Sequence, residues 1–148
     1  MTTRLHFASD HGAVLLRKQL ILAAGELGHE VVSDEGPTED SDSVDYPDVA
    51  ASLCAKVLAD PGSFGVLLCG SGQGVAIAAN KIHGIRAAAV AEPYSAEMSR
   101  RHNDANVLCM GGRVVGSGLA RTILHAFLSA SFEGGRHARR VGKIDALR

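Results

Sequence analysis

Tryptophan is absent from this chain, and only two tyrosines and four phenylalanines stand among its 148 residues. So few aromatic rings leave little with which to stack the bases of a single-stranded nucleic acid. Charge of one sign is lacking too. Lysine and arginine number 15 and aspartate and glutamate 16, a formal net charge of −1, which lends no support to a nucleic acid or an anionic membrane as the main partner. There is no run of about 18 apolar residues, so no spanning helix is expected. The opening MTTRLHFASDHG puts Asp10 and His11 where a signal peptide needs its apolar core, and a cytoplasmic protein is expected. Cysteine is scarce. Cys54, Cys69 and Cys109 are odd in number and widely spaced, which excludes a disulfide framework and a zinc knuckle. The seven histidines and the acidic residues offer no ligand spacing such as HExxH, so no metal is expected.

Glycine is abundant: 17 residues, where average usage gives roughly ten. Hydrophobic residues at 46% and charged residues at 21% describe a folded chain of single-domain length, taken as one unit over 1–148. Apolar runs alternate with helical periods. Leu5 to Ala8 predicts a strand, and residues 13–27 a helix whose stripe is Leu16, Leu20, Ala23, Ala24 and Leu27, with Arg17 and Lys18 off it. Val31 and Val32 suggest a short strand before an acidic, turn-rich loop at 34–45. Tyr46-Pro47-Asp48 opens a helix that Pro61-Gly62 ends. The run Phe64 to Cys69 is apolar throughout, the pattern of a strand covered on both faces. A helix over about 75–81, an apolar strand from Ile85 to Ala91 and a helix from Pro93 follow. A strand over 106–110, a helix over 117–130 and, after Gly134-Gly135, a basic helix over about 136–147 complete the chain. The alternation predicts an α/β fold: a Rossmann-like three-layer αβα sandwich around a five-stranded parallel sheet.

Ligands of such sheets bind beyond the carboxyl ends of the strands. Four polar groups fall there: Asp10-His11, Cys69 to Gly74, Glu92 to Ser95, and Gly111 to Arg113. The loop Gly70-Ser71-Gly72-Gln73-Gly74 allows close backbone approach, and its N–H groups can hold a phosphate or an oxyanion. It lacks the Gly-Lys-Ser/Thr of a P-loop and completes only part of GxGxxG, with Val75 in the last position. By itself it does not separate anion binding from a plain turn. Cys69, just before the loop and near a helix N-terminus, is either a nucleophile or base, or a packing thiol like Cys54 and Cys109. His102, beside Asn103, is either a proton shuttle or a solvated histidine. Arg136, Arg140 and Lys143 share a helix face, which serves as a phosphate clamp or simply as a basic surface.

Several segments together resemble one family. They include Ser9-Asp10-His11-Gly12, Asp45-Tyr46-Pro47, Cys69-Gly70-Ser71-Gly72-Gln73-Gly74, Ala78-Ala79-Asn80-Lys81 and Glu92-Pro93-Tyr94-Ser95-Ala96. The likeness continues through Arg101-His102-Asn103-Asp104-Ala105-Asn106, Gly111-Gly112-Arg113 and Phe132-Glu133-Gly134-Gly135-Arg136-His137. From residue 4 to about 144 the chain resembles ribose-5-phosphate isomerase type B, within a group that includes the galactose-6-phosphate isomerase subunits. The resemblance implies a metal-free aldose–ketose isomerase working through a cis-enediolate, with no cofactor because no hydride leaves the substrate. It implies Cys69 as the base, Ser71 in proton relay or oxyanion support in place of a more usual threonine, and His102 as the ring opener. Some members use a glutamate six positions after the cysteine, where this chain has Val75.

The same resemblance implies Gly70, Ser71, Gly72 and Gly74 as the oxyanion loop, and Asp10, Tyr46 and Asn103 as sugar contacts. It implies His11, Arg113, Arg136 and Arg140 as the phosphate site. It further implies a homodimer with shared pockets, some members pairing into tetramers, and a C-terminal helix lying on the partner. An isolated chain has little against which to pack that helix, whereas a partner would cover Val141 and Ile144. Another sugar phosphate of four or six carbons (a tetrulose, allose or galactose 6-phosphate) remains an alternative substrate. A non-catalytic Rossmann-like binding module is the alternative of another class.

Overall fold

The computed structural model describes residues 1–147 and shows a five-stranded, all-parallel sheet with helices on both faces. The strands are β1 (Arg4–Ser9), β2 (Glu30–Glu35), β3 (Phe64–Cys69), β4 (Ala87–Ala89) and β5 (Val107–Gly111), in spatial order β2-β1-β3-β5-β4. Between and after them run α1 (Val14–Glu26), α2 (Tyr46–Ala59), α3 (Gln73–Ala79), α4 (Pro93–Arg101), α5 (Ser117–Ser129) and α6 (Arg136–Asp145). Strand side chains alternate faces, so the continuous apolar runs feed two cores. Leu5, Phe7, Val66, Leu68, Leu108 and Met110 point to the layer of α1, α4 and α5. Ala8, Leu67, Cys69, Val107 and Cys109 point to α2 and α3. From β1 the chain turns one way along the sheet and from β3 the other. The switch point therefore lies between the carboxyl ends of β1 and β3, where such folds hold ligands.

Several boundaries differ from expectation for identifiable reasons. The first helix begins as a single 3-10 turn, His11–Ala13, because the Asp10 carboxylate accepts the Gly12 N–H at 2.8 Å. Strand β2 extends to Glu35, so the loop starts at Gly36 rather than at 34. The Asp34 and Glu35 carboxylates are taken up by Arg17 and Lys56. The apolar run 85–91 yields only three strand residues. Just before and at their start, the Arg86 N–H donates to the Asn106 side chain at 2.8 Å and the Ala87 N–H to the Asn80 side chain at 2.8 Å. Helix α3 ends at Ala79, with Asn80 as its C-cap. Helix α6 ends at Asp145, short of 147, and its own chain packs it: Val141 is 8% exposed, and Asp145 pairs with Arg86 at 3.2 Å. Ile144 stays 46% exposed.

Arg17 lies off the apolar stripe yet is buried, 2% exposed. One guanidinium nitrogen donates to Ser9 Oγ at 2.5 Å and another to the Pro37 carbonyl at 2.7 Å. Its Nε lies 2.8 Å from an Asp34 carboxylate oxygen. Arg17 thus pins the start of loop 36–45 to the end of β1. Arg17→Ala strands a buried hydroxyl and a carbonyl, and we expect it to lower stability by about 2–3 kcal/mol in urea unfolding. Arg17→Lys will restore little, because one ammonium cannot span a three-way fork.

Candidate functional site

Two loops meet at the switch point. Asp10 directly follows β1 and is buried, and Gly12 packs directly on the backbone of Gly70. The second loop leaves β3 after Cys69 and enters α3 at Gln73. Gly72 has φ +81°, and a β-carbon there would lie 2.8 Å from the Met110 carbonyl carbon, so only glycine fits. This turn aims the Gly72 N–H at the Cys69 sulfur, 3.2 Å away. Ser71 is exposed, and its Oγ accepts the Gln73 N–H at 3.3 Å. On the other side the Gly112 N–H donates to the Cys69 carbonyl at 2.8 Å and the Arg113 N–H to the Gly70 carbonyl at 3.0 Å. That pairing lays the Arg113 guanidinium over Gly70. The Tyr46 ring fills the space a side chain at Gly74 would occupy.

His11 completes this edge. Its Nδ1 accepts the Val44 N–H at 3.3 Å, so the neutral ring carries its proton on Nε2 as a donor. The same bond ties the end of loop 36–45 to the site, and Lys18 holds the loop's start through the Thr38 carbonyl at 2.9 Å. The three thiols differ in surroundings. Burial pushes Cys54 up to about 11 and Cys109 well above the ordinary range, so both stay protonated packing groups. Cys69 alone of the three receives a directed N–H at sulfur among the described residues. The edge therefore combines a thiol, a row of backbone donors and two cationic or N–H-bearing side chains, a setting for an anion and for a developing oxyanion.

The remaining expected residues do not join it. Cys69 pairs with Gly111 and Gly65 with Val107, so the carboxyl ends of β3 and β5 lie together. His102 and Asn103 precede Val107 and stand at the opposite edge, beyond the length of β5, about 13 Å at ~3.3 Å per residue. The turn that carries them is fixed by Asp104, the one non-glycine residue with positive φ (48°) among the described residues. The Asp104 carboxylate pairs with Arg100 at 2.8 Å and Arg86 at 3.1 Å. Asn103 borders an open groove of roughly 1140 Å³ shared with Asn80, Arg86, Ile144 and Asp145. Helix α6 crosses this same edge. His137 stacks on His102 with ring centroids 4.2 Å apart and planes 5° from parallel. Arg136 and Arg140 flank His137 and are exposed.

Glu133 lies beside the stacked histidines, held by Arg101 at 2.6 Å. Arg101, with the electrostatics of both histidines, holds the Glu133 carboxyl below the usual range. The ligating atoms of His102, Glu133 and His137 lie within 4.8 Å of one another. Arg101, Arg136 and Arg140 surround them, so the field opposes a dication and favours an anion. Burial, then His102 and Arg136, lower the His137 imidazole below its ordinary range. Glu92 does follow the carboxyl end of β4, at the expected edge, where it is the N-cap of α4, its carboxylate accepting the Ser95 N–H at 2.9 Å. Four contributors escaped the sequence reading: Arg17, Val44, Glu133 and His137. Only Gly36-Pro37, a turn needing an anchor, hinted at the first.

Residues 5–144 match the family model described as Ribose/Galactose Isomerase. Over 144 residues the chain is 45% identical to ribose-5-phosphate isomerase B of Escherichia coli (strain K12), covering 97% of this chain and 95% of that one. It is 48% identical over 99 residues to a D-erythrulose-4-phosphate isomerase of Pectobacterium atrosepticum, covering 67% of this chain and 65% of the other. The fold superposes on ribose-5-phosphate isomerase B from Clostridium thermocellum with a TM-score of 0.92 at 45% identity, covering 97% and 95% of the two chains. No described helix is long and apolar enough to cross a membrane.

Proposed function

Because this chain belongs to the ribose/galactose isomerase family and is a sugar-phosphate isomerase, we propose that it interconverts D-ribose 5-phosphate and D-ribulose 5-phosphate with Cys69 as the base. The observation that carries this reading is the Cys69 sulfur facing the Gly72 N–H, at the root of a loop flanked by Arg113 and His11. The Gly72 N–H gives this sulfur a directed donor and fixes where it points. The Cys69 thiolate takes the C2 proton of the open-chain aldose. The C2–H electrons form the C1–C2 double bond, and the aldehyde oxygen becomes the enediolate oxyanion. Free N–H groups of Gly70, Ser71 and Gly74 oppose that charge. Return of the proton to C1, with the O2 proton passing to O1 by way of the Ser71 hydroxyl, yields the ketose. Asp10 and Tyr46 contact the sugar hydroxyls, and His11 and Arg113 take the phosphate.

His102 opens the furanose ring, Asn103 binds the sugar, and Arg136 and Arg140 complete the phosphate site. The structure puts these four at the edge away from Cys69. A homodimer with shared pockets reconciles the two half-sites, each chain offering its β5 amino edge and α6 to the carboxyl edge of its partner. Phosphate binding then holds the substrate while the distant carbons react. Arg140→Ala removes charge without apolar packing. We expect it to raise KM for sugar phosphate about ten- to one-hundred-fold, the worth of one or two charge-assisted bonds, with kcat less affected.

A second reading is favoured by the 48% identity to the D-erythrulose-4-phosphate isomerase: the same chemistry on a four-carbon sugar phosphate. A coupled assay over C4, C5 and C6 sugar phosphates separates the two. The highest kcat/KM is expected with D-ribose 5-phosphate. A higher value with a C4 or C6 substrate overturns that assignment, and failure to turn over any of them returns the non-catalytic module.

A further inference from the structure

His137 sits in a place where an apolar side chain would pack at no electrostatic cost. It is 6% exposed, and its Nε2 has no hydrogen-bond partner among the described residues, the nearest Glu133 oxygen being 3.6 Å away. A buried imidazole nitrogen left unsatisfied costs free energy, so the ring calls for a reason beyond filling space. Among the described residues its one close directional contact is the parallel stack on His102. His102 itself is loosely held elsewhere: its ring is about a third exposed, and its Nε2 lies 3.8 Å from Glu133, beyond hydrogen-bond reach. The backbone beneath it is rigid by contrast, capping α4 through its N–H to the Met98 carbonyl at 2.8 Å and braced by Asp104 between Arg86 and Arg100. Side-chain orientation is thus the one degree of freedom left at His102, and the face of His137 limits it.

We propose that His137 is a positioning residue, its buried ring being the platform that holds the His102 ring in the orientation needed for ring opening. Glu133 fixes the platform from the side. Its N–H donates to the Arg101 carbonyl at 3.0 Å, its carboxylate is clamped by Arg101, and the short segment from there into α6 sets where His137 lies. The groups facing the pair are Arg101 on α4, Glu133 before α6, and Arg136 and Arg140 on α6. Burial first, then His102, Arg136 and Arg140 against Glu133, lower the His137 imidazole below its ordinary range, so it serves the stack as a neutral ring. This role rests on the ring-opening function proposed for His102.

The test compares His137→Ala, which removes the platform, with His137→Phe, which keeps a flat ring and discards both nitrogens. Three quantities are read: aldose-direction kcat and KM, solvent exchange of the C1 protons of the open-chain ketose, and the NMR shift of the His102 ring protons. For His137→Ala we expect kcat to fall about ten- to one-hundred-fold, the loss typical of a misplaced reacting group. KM and ketose exchange should stay within about twofold, and the ring-current shift of His102 should vanish, as orientation rather than binding is lost. His137→Phe should keep the shift and recover most of kcat. An unchanged kcat in His137→Ala overturns the proposal. So does a fall in ketose exchange as large as the fall in kcat, which marks general damage. Failure of His137→Phe to recover kcat while the shift persists overturns it as well, since the nitrogens rather than the ring would then matter. Absence of turnover by the wild-type enzyme on every sugar phosphate strikes the functional reading instead, and is distinguishable because the wild type alone reveals it.

Discussion

Cys69→Ala will lower turnover about a thousandfold in both directions, within the ~10²–10⁴ range for loss of a general base. Its affinity for ribitol 5-phosphate, a ligand with the phosphate and hydroxyls but no carbonyl, will remain within about twofold of the parent. The separation follows from placement. The Cys69 sulfur meets the Gly72 N–H at the root of the loop, whereas Arg113 lies over Gly70 and His11 is anchored by Val44. Removing sulfur leaves those phosphate-facing groups and the backbone donors where they are. Folding should be preserved, since alanine at a site 5% exposed deletes one buried atom and the neighbouring apolar cluster includes Val75 and Ala76. Cys54→Ala serves as the contrast: its thiol, pushed up to about 11 by burial, is a packing group, and the variant should keep its activity. Near-normal turnover of Cys69→Ala would remove it from the role of base.

How much of this was legible before the structure depends on the range of the forces involved. The central strand Phe64–Cys69 could be read from the chain because an unbroken apolar run has one economical use in an α/β fold, a place covered on both faces. Cys69 and the glycine loop could be marked because the end of such a strand is where ligands bind. The burial of Arg17 could not. Helical periodicity registers apolar residues, while the groups that draw Arg17 inward, Ser9, Asp34 and Pro37, lie 8 to 20 residues away in sequence. The short β4 was hidden for a related reason: Asn80 and Asn106 satisfy backbone groups through side chains, which apolar patterning does not reveal. His102 stands out in the sequence as a candidate, and its edge is legible there too. A helix between two parallel strands returns the chain to the opposite edge, so the end of α4 belongs at the start of β5. His137 carries no signal of its own beyond its place in the segment Phe132 to His137, being one of seven histidines until α6 is folded onto His102.

That separation of edges supplies the second large expected effect. Take two impaired parents, Cys69→Ala with its turnover lost and Arg140→Ala with its KM raised, dissociate both, mix them in equal amounts and allow them to reassemble. Arg140 belongs to α6, which its own chain seats against His102 and Arg86 at the amino edge of β4 and β5, far from the Cys69 of that chain. If each pocket takes Cys69 from one protomer and Arg140 from the other, a mixed dimer has one pocket carrying both lesions and one carrying neither. Random reassembly makes about half of the dimers mixed, so activity at substrate well below the raised KM should recover to about a quarter of wild type. The recovered activity should show the wild-type KM, because the repaired pocket is complete. Homodimers of either parent, taken through the same cycle, should gain nothing. Mixed dimers confirmed by mass spectrometry but without recovered activity would place Cys69 and Arg140 in the same chain's pocket. They would also require α6 to leave the seat its own chain gives it, since Val141 is buried there and Asp145 is paired with Arg86.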